Sequence, residues 1–223
     1  MKKSIKSSRD PGKRRIFLVD DHAILRDGLR HLLEAESDLC VCGEAENARK
    51  ACDRIAETSP EIAIIDISLP GPDGIELIKD LRVRFPYVKL LMLSMHDETL
   101  YAERALRAGA MGYIMKQAPT ELLLAAVRRV LNNQRYLSQS MASQFVDAFV
   151  SQKKPQHSDI KKLTDRELEI VRLLGKGFTT AEVAKELGIS GKTVESHRGN
   201  LRRKLNLRSG SDLLRFALAN SEK

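Results

Sequence analysis

Five short apolar runs punctuate the first half of the chain, at residues 16–20, 39–43, 62–66, 89–94 and 112–115. Each is rich in β-branched or large aliphatic residues and is bounded by polar residues, Gly or Pro, the pattern of buried strands. Between them the apolar positions recur at helical spacing. Ile24, Leu25, Leu29, Leu32 and Leu33 do so within 23–35, and Ile75, Leu77, Ile78 and Leu81 within 74–85. Helices are also expected over 45–58, over 98–108 before Gly109, and over 120–131 after Pro119. Strands that alternate with helices predict an α/β fold with a five-stranded doubly wound parallel sheet.

Beyond residue 132 the pattern changes. Met141, Phe145, Val146 and Phe149 lie at helical spacing in 135–150, with Ser138 placed to cap, so a linker helix with one apolar stripe is expected. Residues 151–160, with Lys153-Lys154-Pro155, read as a flexible connector. Thr164 and Glu167 then form an [ST]-x-x-[DE] capping pattern ahead of Leu168, Ile170, Val171 and Leu174. A short helix at 180–187, a turn at Ile189-Ser190-Gly191 and a helix at 192–205 follow. Two helices joined by a Gly-containing turn predict a small all-α helix-turn-helix domain, whose second helix can enter a DNA major groove. In a final helix at 209–219, Leu213, Leu214 and Ala217 suit either a dimer stripe or closure of the small core. The expected boundaries are a basic disordered arm at 1–14, the α/β domain at 15–132, a linker at 133–158 and the helix-turn-helix domain at 159–223.

Composition sharpens this division. The 223 residues are 42% hydrophobic and 30% charged, as expected of a soluble globular chain. No apolar run approaches the roughly 18 residues of a spanning helix. The apolar stretch after the basic N-terminus is too short for a signal peptide and is interrupted by acids, so the expected location is cytoplasmic, with no membrane partner. Cys40, Cys42 and Cys52 are odd in number and lack zinc spacing with histidine, as expected of reduced structural thiols. The net charge of +8 is uneven. Residues 1–14, with Lys2, Lys3, Lys6, Arg9, Lys13 and Arg14, carry about +5, residues 159–223 about +5, and the stretch between about −2. That asymmetry points to a nucleic-acid-facing second domain, although a solvated basic surface would have the same charge.

In the helix at 192–205, Val194, Leu201 and Leu205 mark the buried stripe. The candidate DNA-binding residues are Lys192, Thr193, Glu195, Ser196, Arg198, Gly199, Arg202 and Arg203, with Lys204 on the same polar remainder. They combine cations for phosphates with short side chains that permit close approach. Gly199 costs a helix interior about 1 kcal/mol relative to Ala, so close approach to DNA or to another helix would account for it. His197 suits packing or a phosphate contact.

The strand ends carry the other chemistry. The first ends in Asp20-Asp21, the third in Asp66, the fourth in Ser94, and Lys116 follows the fifth. In an open α/β sheet these ends share one edge, where ligands bind. Three converging carboxylates repel one another and need a cation, and oxygen-rich acidic surroundings suit Mg²⁺. Lys116 adds the positive charge an incoming phosphoryl group requires, and Ser94 a hydroxyl. An Asp carboxylate can act as the nucleophile toward phosphorus. Taken singly, each residue has a plainer use. Asp66 could be a hydrogen-bonded structural acid, Asp20 a helix cap, Ser94 a turn residue and Tyr113 a strand aromatic. His22 and His96 sit near the site without a partner arrangement for nucleophilic catalysis, although His96 could govern access of donors or water to Asp66.

Phe17-Leu18-Val19-Asp20-Asp21-His22, Ile64-Ile65-Asp66, Leu69-Pro70-Gly71-Pro72-Asp73-Gly74, Leu93-Ser94 and Gly112-Tyr113-Ile114-Met115-Lys116, in this order, resemble the receiver domain of bacterial two-component response regulators. The resemblance, over about residues 15–132, implies a flavodoxin-like sheet and Asp66 as phosphoacceptor. It implies Mg²⁺ held by Asp21 and Asp66, by Asp20 through water, and by the Ser68 backbone carbonyl. Ser94 and Tyr113 match its switch pair and Lys116 its phosphate-contacting lysine. Leu163 to Glu167, Ala184 to Ser190, and Lys192 to His197 with Leu205 resemble the LuxR-type helix-turn-helix. Together they resemble a response regulator of the NarL/FixJ family, which implies a sensor histidine kinase, a promoter with two half-sites in double-stranded DNA, and a homodimer when active. Serine in place of threonine at 94 keeps the hydroxyl. Enzymatic turnover is not expected beyond slow self-dephosphorylation. Aspartate-nucleophile phosphatases place a second Asp two residues on as general acid, and here that position is Ser68. A phosphorylation-independent regulator with a vestigial acidic site is the alternative.

Overall fold

A computed structural model describes residues 12–151 and 163–220, without the side chains of 148–151. The basic arm as far as residue 11, most of the expected connector and the side chain of Phe149 therefore lie outside the described residues.

The α/β half runs β1 (Arg14–Val19), α1 (Ala23–Glu34), β2 (Leu39–Ala45), α2 (Ala48–Thr58), β3 (Ile62–Ile65), α3 (Gly74–Arg84), β4 (Lys89–Ser94), α4 (Glu98–Ala108), β5 (Gly112–Met115) and α5 (Thr120–Leu131). All strand pairs are parallel, in the order β2-β1-β3-β4-β5. The strand order reverses between β1 and β3, so the ends of those two strands flank the crevice where such sheets bind ligands.

The continuous apolar runs follow from burial on both faces. Phe17, Val19, Ala63, Ile65, Leu90 and Met92 face one core, with α2, α3 and α4. Ile16, Leu18, Ile62, Ile64, Leu91 and Leu93 alternate with them and face the other, with α1 and α5. β2 extends to Ala45, and Asn47 then caps α2 by accepting from Lys50 N, so that helix starts three residues later than its apolar pattern suggests. A bulge at Cys42 shifts the β1–β2 register, and a Cβ on Gly43 would stand 2.6 Å from the Phe17 ring. Glycine there lets the ring reach the core. The three cysteines are free thiols.

α6 (Gln139–Ser151) is the linker helix. Ser138 Oγ accepts from Met141 N at its start, Met141 is buried against the receiver-half core, and Val146 is exposed. The second half contains α7 (Asp165–Gly175), α8 (Thr180–Glu186), α9 (Gly191–Lys204) and α10 (Gly210–Ala219). Thr164–Glu167, Thr179–Glu182 and Ser209–Asp212 form reciprocal capping boxes, and Ser190 caps α9. Caps of this kind are worth about 1 kcal/mol each, which matters for helices this short. Leu213 and Ala217 are buried in the small core, whereas Leu214 is 43% exposed, so α10 closes that core with its inner stripe.

The two halves touch. Arg104 of α4 donates to Leu163 O at 2.7 Å and pairs with Asp165 at 2.9 Å, and Lys79 of α3 lies 3.3 Å from the same carboxylate. Leu168 of α7 belongs to the α2–α3–α4 core and not to the helix-turn-helix core, and Phe216 packs against both.

Candidate functional site

The crevice between β1 and β3 is built by backbone ladders that continue just past the strands. Asp66 N donates to Val19 O at 2.8 Å and Lys116 N to Ser94 O at 2.7 Å, which brings the four strand ends level. Gly74 completes the floor. A Cβ there would stand 2.0 Å from the Asp66 carbonyl oxygen, so only glycine lets α3 begin this close beneath the acid.

Lys116 Nζ lies 2.8 Å from Asp66 Oδ2 and 2.6 Å from Asp20 Oδ2, with all three side chains almost fully buried. Burial pushes the Asp66 carboxyl up to about 6, and the Lys116 charge only partly offsets it. Burial opposes the Lys116 ammonium, but the two carboxylates outweigh it and hold its pKa above the ordinary value. Asp20 Oδ1 accepts from His22 N, which answers the capping alternative, since His22 and not Asp20 occupies the α1 N-cap. Asp20 Oδ2 has the Lys116 charge beside it but no directed hydrogen bond.

Asp20, Asp21, His22 and Asp66 place ligand atoms within 4.8 Å of one another. Two buried carboxylates and one exposed one form a hard, oxygen-rich donor set of the kind Mg²⁺ takes. The histidine is an addition to the expected set. Its Nδ1 is 2.8 Å from Asp21 Oδ1, while its ring is mostly exposed.

Ser94 is fully buried, and its Oγ accepts from His96 N at 3.1 Å. Tyr113 is also buried, and its hydroxyl donates to His96 O at 2.7 Å. Burial pushes the phenol pKa up, so the group stays protonated. The ring is thus inward in the unmodified chain. His96 has more partners than its sequence position suggests. Its Nε2 is 2.9 Å from Ser68 Oγ, and its ring stacks on Tyr101 with centroids 4.9 Å apart. Burial, then the charges of Arg172, Lys176 and Lys116, push its pKa down to about 3, so the ring is neutral.

On α9, Lys192, Thr193, Glu195, Ser196, Arg202 and Arg203 are exposed on the outer face, while Arg198 and Gly199 are half-buried. Glu195 accepts from Thr180 and from Arg198, tying α9 to α8. Lys204 is diverted inward to the buried Glu167 at 2.6 Å. Nothing lies within 4 Å of a Cβ built on Gly199, so no neighbouring helix of this chain requires that glycine.

An acidic phosphoacceptor-type pocket at a sheet's switch point, joined to a helix-turn-helix with an open basic face, defines a receiver coupled to a DNA-binding output domain. Residues 16–128 match the response regulator receiver domain, and residues 161–217 match the luxR family of bacterial regulatory proteins. The chain belongs to the LuxR-type two-component response regulators, DNA-binding transcription regulators controlled through receiver phosphorylation.

It is 37% identical to the oxygen regulatory protein NreC of Staphylococcus haemolyticus, over 92% of this chain and 96% of that one. The NreC of Staphylococcus aureus is 35% identical over the same shares. Among solved structures, RcsB from Salmonella enterica serovar Typhimurium, bound to promoter DNA with the phosphomimetic BeF3−, is similar at TM-score 0.65. That pair shares 26% identity and covers 93% of this chain and 99% of the other. A LuxR-family response regulator from Aurantimonas sp. SI85-9A1 matches at TM-score 0.59 and 36% identity, over 62% of this chain and 99% of its own. Among the described residues no helix is long and apolar enough to cross a membrane.

Proposed function

We propose that Asp66 accepts a phosphoryl group from a partner sensor histidine kinase, and that this modification controls promoter binding by the helix-turn-helix domain. The observation that carries the reading is the buried Asp66–Lys116–Asp20 cluster at the switch point of the sheet. Asp66 attacks phosphorus as the N–P bond of the donor histidine breaks, and that electron pair returns to the imidazole nitrogen. Asp21, Asp66 and the Ser68 carbonyl would hold Mg²⁺, with Asp20 reaching it through water. The ion supplies neutralising charge for the phosphoryl oxygens. Lys116 and Ser94 contact those oxygens. To do so Ser94 Oγ gives up the His96 N–H, which loosens the segment leading into α4.

Because Arg104 and Lys79 hold Asp165 across the two halves, a shift of α4 bears directly on the output domain. Its release allows two protomers to pair and to place two α9 helices on two half-sites. Lys192, Thr193, Ser196, Arg202 and Arg203 make the outer contacts, with Glu195 and Arg198 set by their mutual pair and Gly199 allowing the backbone close. That a relative was solved on promoter DNA in the presence of the phosphomimetic BeF3− supports linking phosphorylation to promoter binding.

Incubation with a small-molecule phosphoryl donor and Mg²⁺, followed by intact mass, tests the site. One added phosphoryl group on the wild type and none on Asp66→Ala is the expected outcome. Equal modification of both would overturn the assignment. The inward Tyr113 favours one second reading, a receiver preset for output whose phosphorylation is dispensable. Untreated protein and Asp66→Ala would then bind a promoter as tightly as the phosphorylated chain.

A further inference from the structure

His22 belongs to the acidic cluster but has no part in the phosphoryl chemistry proposed for it. It is the N-cap of α1, yet its side chain makes no capping bond, and histidine is not among the residues that cap a helix well. Its backbone N–H donates to Asp20 Oδ1 at 2.8 Å, which pins the residue beside the acids. The ring lies back over them, with Nδ1 2.8 Å from Asp21 Oδ1 and 3.4 Å from Asp20 Oδ1. Asp20 thus divides its oxygens, Oδ2 toward the Lys116 ammonium and Oδ1 toward the histidine.

The ring therefore stands beside the place a cation would take. One ligand atom from each of Asp20, Asp21, His22 and Asp66 lies within 4.8 Å of the others. Two ligands at about 2.1 Å from a shared ion span at most about 4.2 Å, so a small closure suffices. The side chains of His22 and Asp21 are 65% and 37% exposed, which leaves both room to make it. An exposed imidazole–carboxylate pair by itself adds little stability. What the nitrogen changes is the choice of ion. Mg²⁺ takes oxygen ligands, whereas imidazole suits borderline ions such as Ni²⁺ and Zn²⁺.

We propose that His22 Nδ1 is a ligand of the divalent cation bound at Asp21 and Asp66, and that it lets this oxygen site take a borderline transition ion more tightly than Mg²⁺. The inference rests on the acids being a cation site and not on Asp66 being phosphorylated. Ions of the two kinds share the same carboxylates, so each displaces the other.

The test is titration calorimetry of the full-length protein with Mg²⁺, Ni²⁺ and Zn²⁺, on wild type, His22→Asn and Asp21→Ala. Asparagine keeps a side-chain donor for the Asp21 carboxylate and carries no imidazole. Wild type should bind Ni²⁺ and Zn²⁺ more tightly than Mg²⁺. His22→Asn should lose at least about tenfold toward Ni²⁺ and Zn²⁺, no less than the loss of a residue that supports a ligand, while its Mg²⁺ affinity stays unchanged. Asp21→Ala should weaken all three ions, which places them at one site. In ¹⁵N NMR of the imidazoles, Zn²⁺ should shift the Nδ1 signal that is absent from His22→Asn. Circular dichroism would establish that each variant is folded. Undiminished Ni²⁺ and Zn²⁺ affinity in His22→Asn would overturn the role of the histidine and leave the Mg²⁺ site standing. Transition ions that bind without displacing Mg²⁺ would sit elsewhere on the chain and overturn it too. Failure of all three ions to bind wild type would bring down both this inference and the cation site on which it rests.

Discussion

The two functional regions are built on opposite plans. The acidic pocket is assembled from strand ends far apart in the chain, with Asp66 and Lys116 separated by 50 positions, and its central charges are buried. The α9 face comes from one continuous helix with its cap, and most of its candidate DNA contacts stand in solvent. A site that must hold unlike charges out of water needs a rigid frame, because each charge is tolerable only while its partner is in place. A surface that meets a polyanion needs only charges presented on a stable rod, since the partner supplies the compensation. Substitutions should therefore cost much in the first region and little in the second.

Gly74→Ala should have the largest effect. The added methyl has no room beside the Asp66 carbonyl, so either α3 or the acid must move. A stability loss of about 3 kcal/mol in urea unfolding is expected, together with loss of phosphorylation. A stable, phosphorylatable variant would show that the frame is softer than the contact implies. Lys116→Ala comes next. It leaves Asp20 and Asp66 buried without their shared counter-charge and should cost about 3 kcal/mol, part of it recovered by added Mg²⁺. Insensitivity of that variant to Mg²⁺ would argue against a cation site at these carboxylates.

Asp73 lies between the two regimes. It caps α3, and burial, together with the nearby acids Glu169, Asp165 and Glu76, pushes its pKa up to about 7. A carboxyl that holds its proton more tightly when folded favours the fold most at low pH, and this contribution is lost as pH rises from about 4 to 7. Asp73→Asn keeps a cap and removes the titration. The variant should exceed wild type in stability by about 1–3 kcal/mol at pH 8, with the gain vanishing near pH 4 in denaturant curves. The smallest effect belongs to the helix-turn-helix. Gly199→Ala meets nothing within the chain, so stability should rise by about 1 kcal/mol while promoter affinity falls. Unchanged affinity in a gel-shift titration would mean that DNA does not approach the backbone there.

What could be read ahead of the structure divides along the same line. Capping at Thr164–Glu167, the strand runs and the α9 stripe are local patterns, and the structure contains them. Leu168 shows where local reading stops. It follows the same cap as Ile170, Val171 and Leu174, which lie in the helix-turn-helix core, yet it packs with the receiver half. Lys204 looked like part of a basic face and instead neutralises Glu167. The sequence places His96 only near the site, and the structure adds its contacts with Ser68, Ser94, Tyr113 and Tyr101. Each miss involves a partner on another element, which no periodicity encodes.

The sequence by itself determined the alternation of strand and helix, the helix-turn-helix and the identities of the strand-end residues. Backbone propensity, capping and the period of burial act over a few residues and are written directly into the order of side chains. Only the tertiary structure decided that Tyr113 rests inward, that Asp165 is clasped by Arg104 and Lys79, and that Leu168 of the second half packs into the core of the first. Those outcomes depend on partners brought from other elements, and since hydrophobic burial is non-directional no local pattern specifies which faces meet.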